Sequence, residues 1–302
     1  MYLCLEKEDK PQGNYTHPHP QKNIMHDLDK QINQRLEDLA KKENLRHLSL
    51  PYSSLGKWIV VNEEKRLNLS GNDYLGLAEH DDLREQFSTL HPNYSSPSGS
   101  TSSRLLLGNY EEAALFEEEI AKALEHPAAL LFNSGYHLNT GILPALAHLE
   151  GVKVYADRMV HASIIDGIRL SRLPFTRFRH NDLEHLTELL KEDEGKYRIS
   201  IVAVESLYSM DGDEADLEAL VALKKKYPSL VIYCDEAHAI GTHGANGYGL
   251  AEEQGVLADI DILVGTFGKA LNSMGAYAAI STSLREYLIN MARPLIFSTM
   301  LP

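Results

Sequence analysis

The sequence predicts an α/β protein: a mainly parallel seven-stranded sheet with helices on both faces, preceded by an N-terminal helical arm. Two observations carry this expectation. Beyond residue 125, short apolar or β-branched runs alternate with helical patterns at helix-length intervals, which is how βαβ units read in a sequence. The chain is also long enough, at 302 residues with 43% hydrophobic content, to fill a substantial core.

Residues 1–24 hold Pro11, Gly13, Pro18 and Pro20 among polar residues and no apolar core of a secretory signal, so they are expected to be a disordered leader or a start-site artefact, with Met25 the alternative start. From there Ile24, Leu28, Ile32, Leu36 and Leu39 recur at spacings of three and four, as an amphipathic helix requires. Residues 25–75 are expected to form this helix and an arm, and residues 76–302 the large domain. Strands are expected at Ala128–Phe132, Val152–Ala156, Pro174–Phe178, Ile199–Val204, Leu230–Cys234, Ile260–Gly265 and Ala276–Ile280. Helices are expected at Glu111–Glu125, Ala162–Ser171, Asp182–Lys191 and Ala215–Lys226.

Composition narrows the function. With 29 basic and 43 acidic residues the net charge is −14, which argues against nucleic acid or an anionic membrane as the main partner. No apolar run approaches the ~20 residues of a membrane span. The only cysteines, Cys4 and Cys234, allow neither a disulfide framework nor a cysteine-based zinc site. A reducing, cytoplasmic setting fits, and no metal is expected.

Ligands of open α/β sheets bind beyond the carboxyl ends of the strands. After the first run stands Asn133-Ser134-Gly135-Tyr136-His137, a small turn into a helix start whose free N–H groups can bind phosphate. Alone it is only a turn. After the second run comes His161, which without context is more often a helix cap than a catalytic imidazole. The fourth run ends in Glu205-Ser206-Leu207-Tyr208-Ser209-Met210-Asp211-Gly212-Asp213, carboxylates and hydroxyls that capping and turn formation also explain. The fifth delivers Asp235-Glu236-Ala237-His238. That tetrapeptide is also a helicase signature, but such an enzyme needs an upstream G-x-x-x-x-G-K-[ST] phosphate loop, and the only Gly-Lys pair, Gly268-Lys269, lies downstream and precedes Ala270.

The sixth run leads into Gly265-Thr266-Phe267-Gly268-Lys269-Ala270. A lysine among small residues directly after a buried strand is costly unless it pairs or reacts, which suits a Schiff-base lysine. Pyridoxal phosphate needs an amine for its aldehyde, a carboxylate for its ring nitrogen and donors for its phosphate. One sheet edge offers all three.

Gly71-Asn72-Asp73-Tyr74-Leu75-Gly76-Leu77, Gly99-Ser100-Thr101-Ser102-Ser103-Arg104-Leu105, Asn133-Ser134-Gly135-Tyr136, His161-Ala162-Ser163, His180-Asn181-Asp182, Ser209-Met210-Asp211-Gly212-Asp213, Asp235-Glu236-Ala237-His238 and Thr266-Phe267-Gly268-Lys269-Ala270 together resemble, in order, the α-oxoamine synthase family of fold type I pyridoxal-phosphate enzymes. The resemblance covers about residues 28 to 302. It implies Lys269 as the cofactor-bearing lysine and base, Asp235 as partner of the ring nitrogen, His161 stacked on the ring and His238 near its phenolic oxygen. It further implies Gly135, Tyr136, Ser209 and Thr266 as cofactor contacts and Arg46 as a substrate contact.

The implied reaction condenses an amino acid with an acyl thioester, with loss of CO₂, in a homodimer. Ser102-Ser103-Arg104-Leu105-Leu106 and Phe132-Asn133-Ser134-Gly135-Tyr136 look most like the oxononanoate-forming branch, which joins L-alanine to a pimeloyl thioester in biotin synthesis. Glycine- and serine-using branches are the alternatives. Phe297-Ser298-Thr299-Met300-Leu301-Pro302 looks like the segment leading out of the family's large domain. The smaller C-terminal domain is therefore expected to be absent, with a non-catalytic fragment as the rival of a working enzyme.

Overall fold

The computed structural model describes residues 26–48, 53–55, 57–90 and 99–302. The expected leader over residues 1–24 lies outside them. The chain divides into two units, Met1–Tyr52 and Ser53–Pro302.

In the first unit helix α1 spans Asp27–Lys41, its start capped by the His26 imidazole, which accepts from the Leu28 amide at 3.2 Å. Asp27 and Asp29 in the first turn and Lys41 in the last suit the helix dipole. Its apolar stripe of Leu28, Ile32 and Leu36 is exposed.

The second unit opens with a small antiparallel sheet of β1 (Ser53–Leu55), β2 (Trp58–Val61) and β3 (Glu64–Leu67), which the sequence reading places only within an arm. Asn62 and Glu63 between β2 and β3 both have positive φ, the conformation of a tight two-residue hairpin. Asp73 then caps a 3₁₀ turn at Leu77–Glu79, accepting from the amides of Leu77 (2.8 Å) and Ala78 (3.2 Å). Helices α2 (Asp81–Leu90) and α3 (Glu111–Ala123) lead into the main sheet.

That sheet is built from β4 (Ala128–Phe132), β5 (Val152–Asp157), β6 (Phe175–Phe178), β7 (Ile199–Glu205), β8 (Leu230–Asp235), β9 (Ile262–Thr266) and β10 (Ala276–Ile280). The expected runs thus recur as strands with shifts of at most two residues. Connecting them are α4 (Gly135–Leu146), α5 (Ala162–Ser171), α6 (Leu183–Glu192), α7 (Leu217–Lys226) and α8 (Leu250–Glu253), with α9 (Thr282–Met291) and α10 (Arg293–Phe297) after the last strand. The order is β4-β10-β9-β8-β7-β5-β6. Pairs among β9, β8, β7, β5 and β6 are parallel, and β10 runs antiparallel to both β4 and β9. Every residue of β4, β5 and β10 is buried, as strands covered on both faces must be.

Edge strand β4 needs partners for its unpaired backbone groups. Buried Glu117 on α3 accepts from the Leu131 amide at 2.7 Å, and Arg285 on α9 donates to the Ala129 carbonyl at 3.1 Å. Glu117 is in turn ion-paired to Arg104 and Arg285. Three charges thereby fasten helices and edge strand together.

Strand direction places the carboxyl ends of six strands, and the start of β10, along one edge. Among the described residues no helix is long and apolar enough to cross a membrane.

Candidate active site

Lys269 follows β9 in a loop closed by backbone bonds from Phe267 to Gly275 (3.0 Å), Ser273 to Phe267 (2.7 Å) and Asn272 to Lys269 (2.9 Å). Its side chain is half-buried, with Nζ 2.8 Å from His238 Nε2. Burial lowers the lysine pKa, with Asp235 and then Glu205 pulling the other way. The amine is therefore easier to deprotonate than a surface lysine.

His238 is pushed down to about 4, chiefly by burial and then by the charges of Lys269 and His161. A neutral imidazole can accept from Lys269 at Nε2 only as the Nδ1–H tautomer. That hydrogen then points to Tyr74 Oη, 2.8 Å away, and Tyr74 donates onward to Asn72 Oδ1 at 3.2 Å. The capped turn at Asp73 holds both residues beside the sheet edge.

On the other side of the site Asp235 ends β8. Its Oδ1 accepts from the Ala237 amide at 3.0 Å and its Oδ2 from Asn139 Nδ2 at 3.2 Å. Asn139 also donates to Ser163 Oγ (2.9 Å) and accepts from the buried Tyr233 hydroxyl. Ser163 reaches His161: its amide donates to Nδ1 at 3.2 Å and its hydroxyl lies at 2.7 Å. Two donors on Nδ1 place the proton of a neutral His161 on Nε2. The histidine thus caps α5 and presents its other edge to the site, so capping and site readings both apply. The network needs α4 and α5 in close contact, and a Cβ on Gly167 would fall 2.4 Å from the Asn139 carbonyl oxygen.

Lys269, Asp235, His161, His238, Thr266, Gly135 and Tyr136 line one cavity of about 340 Å³. The start of α4 forms part of its wall, where Ser134 caps the helix by accepting from the His137 amide at 3.2 Å. Helix geometry leaves the amides of Gly135 and Tyr136 without intrahelical acceptors. Glycine is needed at 135 because a Cβ there would lie 2.8 Å from Thr266 Cγ2. The Tyr136 hydroxyl donates to Asp166 at 2.7 Å. Two buried polar atoms at this cavity, Thr266 Oγ1 and Glu205 Oε1, lack hydrogen-bond partners, as expected of a site shaped for a polar ligand.

One expected residue of the second unit lies outside this lining. Ser209 is exposed and lines a neighbouring depression that shares His238 with this cavity. Arg46 is exposed in the first unit. His137, half-buried with an unpartnered Nδ1, does not line the cavity. Among the described residues no cluster of His, Cys, Asp or Glu is arranged to hold a metal ion.

The structure adds Asn139, Ser163, Glu205, Asn72 and Tyr74 to the site. Ser163, Asn72 and Tyr74 lie inside recognisable motifs, and Glu205 in a run that could equally be a turn. Asn139 carries no sequence signal beyond its place in a helix start.

The profile of the aminotransferase class I and II family matches residues 64–302. A Haemophilus influenzae protein provisionally named 8-amino-7-oxononanoate synthase is 52% identical over 270 residues, which are 89% of this chain and 70% of that protein. A Neisseria gonorrhoeae protein with the same provisional name is 51% identical over 274 residues, covering 90% and 71%. Among solved structures, a serine palmitoyltransferase from S. paucimobilis with bound PLP–myriocin aldimine superposes with a TM-score of 0.78 at 28% identity, over 90% of this chain and 68% of the other. The 8-amino-7-oxononanoate synthase from Francisella tularensis gives 0.62 at 30% identity, over 77% and 64%.

Proposed function

The chain belongs to the aminotransferase class I and II family and, within it, to the α-oxoamine synthases, and from that membership we infer that it condenses L-alanine with a pimeloyl thioester. The products would be 8-amino-7-oxononanoate, CO₂ and the free thiol. The single observation that carries the chemistry is a depressed-pKa amine, Lys269 Nζ, facing a buried carboxylate, Asp235, in one cavity with two imidazoles.

The cavity suits pyridoxal phosphate on its own evidence. It offers the amine, the anion, the unpaired Thr266 hydroxyl and the helix start at Gly135, which are the partners of an aldehyde, a ring nitrogen and a phosphate. We assign Lys269 to the aldehyde, Asp235 to the ring nitrogen and His161 to the ring face. His238 would hold the phenolic oxygen, with Ser209 approaching from the neighbouring depression, and Gly135, Tyr136 and Thr266 would hold the phosphate. When bound, the cofactor supplies an electron sink for charge developing at the amino-acid Cα.

The protein groups do the rest. Lys269 Nζ takes the Cα proton, a task its lowered pKa favours. Neutral His238 accepts a hydrogen bond from that nitrogen and holds it in place. Asp235, fixed by Asn139 and the Ala237 amide, keeps a negative charge opposite the developing positive one. Arg46 is assigned to the substrate.

A homodimer is proposed on the exposure of Leu106 (77%), Leu107 (83%), Met274 (69%) and Phe297 (70%), large apolar side chains that favour burial against a partner. Alanine is preferred over serine because the relatives at 51–52% identity carry the oxononanoate name, whereas the serine palmitoyltransferase stands at 28%.

Titration with pyridoxal phosphate should produce a visible chromophore that Lys269→Ala abolishes. Thiol release should then be fastest with alanine and a pimeloyl thioester. A chromophore independent of Lys269 would remove the cofactor assignment, and turnover with glycine or serine alone would remove the substrate assignment.

A further inference from the structure

Glu205 has no role in the chemistry above, yet it is a buried carboxyl in the wall of the same cavity, 2% exposed. It ends β7 in exact register with Asp235 at the end of β8. Residues paired in register on neighbouring strands project to the same face, with backbones only about 4.8 Å apart. Two carboxyls so placed away from water do not both ionise cheaply.

The surroundings decide which one keeps the charge. Asp235 has both carboxylate oxygens hydrogen-bonded, Oδ1 to the Ala237 amide and Oδ2 to Asn139, whereas the backbone amides that reach Glu205 leave its Oε1 without a partner. The groups facing Glu205 come from four elements: Asp235 and the buried Cys234 thiol from β8, Lys269 from the loop after β9, the backbone amide of His161 before α5, and the Tyr208 phenol and Ser209 amide after β7. Lys269 and the two amides favour the anion, while burial and Asp235 oppose it. Burial first, and Asp235 second, push Glu205 up to about 8.

We propose that Glu205 is a positioning residue of this site, a carboxylic acid kept neutral beside Asp235 that offers its O–H into the cavity to an acceptor oxygen of the bound cofactor. One negative charge, on Asp235, is thereby kept at the cofactor ring instead of two. The protonated state stands on the protein alone, and the hydrogen bond to the cofactor rests on the function proposed above.

Two measurements test it. In the cofactor-free protein, the infrared C=O band of a protonated carboxyl should be present at pH 7, titrate away with a midpoint near 8, and be missing in Glu205→Gln. If the wild-type and Glu205→Gln spectra coincide at pH 7, the neutral acid is refuted. In the second, Glu205→Gln, which keeps a donor without charge, should bind pyridoxal phosphate within about threefold of wild type, and Glu205→Met, of similar length without a donor, more than about tenfold more weakly. Equal weakening in both variants would show that an anion is required and overturn the proposal, as would full affinity in both. A wild type with the infrared band but no Lys269-dependent chromophore would fault the cofactor assignment while leaving the neutral acid standing.

Discussion

Asn139→Ala removes the hub between Asp235, Ser163 and Tyr233, and its cost follows from what each partner loses. Tyr233 is fully buried and its hydroxyl donates to Asn139 Oδ1, so truncation leaves a phenol with no acceptor, worth about 1–3 kcal/mol. Asp235 loses one of its two donors, and a hydrogen bond to a charged group is worth about 1.5–3 kcal/mol. Ser163 Oγ keeps His161 as a partner and adds little. The expected destabilisation is roughly 3–5 kcal/mol, read from urea unfolding followed by circular dichroism. A second substitution isolates the phenol. Tyr233→Phe should cost about 1 kcal/mol in the wild type, where it strands Asn139 Oδ1, but should restore about 1 kcal/mol to Asn139→Ala by deleting the unpaired hydroxyl. If Tyr233→Phe costs the same in both backgrounds, the hydroxyl is not coupled to Asn139 and the network is misassigned.

Glu117→Ala should destabilise by about 3–5 kcal/mol, because it leaves the Arg104 guanidinium buried without its carboxylate; thermal melts at neutral pH check this, and a loss under 1 kcal/mol would show that the arginines re-pair elsewhere. His238 should stay neutral by NMR titration from pH 5.5 to 8, its folded value being about 4 against 6.5 in the unfolded chain. The folded state then binds fewer protons in that window, so stability is full above pH 6.5 and falls as the pH drops toward 4. His238→Gln should remove this part of the acid sensitivity, and an unchanged pH profile would contradict the depressed value.

The main sheet was legible because its strands are runs of apolar residues between patterned helices, and the reactive groups because they follow those runs directly. The hairpin of β2 and β3 was not legible, since Glu64-Lys65-Arg66-Leu67 is exposed throughout and shows no alternation. Asn62-Glu63 also lacks the glycine that marks most tight turns. Asn139 and Asp235 are 96 residues apart in the chain. Their contact depends on how closely α4 approaches α5, for which Gly167 is a necessary but ambiguous sign. The unpaired oxygen of Glu205 is a property of packing alone.

The reversed direction of β10 bears on how Lys269 can move. In a wholly parallel sheet the segment after β9 would pass into a crossover helix, free to shift at its far end. Here the chain turns straight back, with Thr266 paired to Ala276 across adjacent strands, so the lysine rides on a short loop moored at both ends to neighbouring interior strands of the sheet. Its backbone has little play, and exchange of partners at Nζ must come from rotation of the side chain alone. The loop works as a fixed pivot for a four-carbon lever, and lengthening it by even one residue would move the pivot rather than loosen the lever.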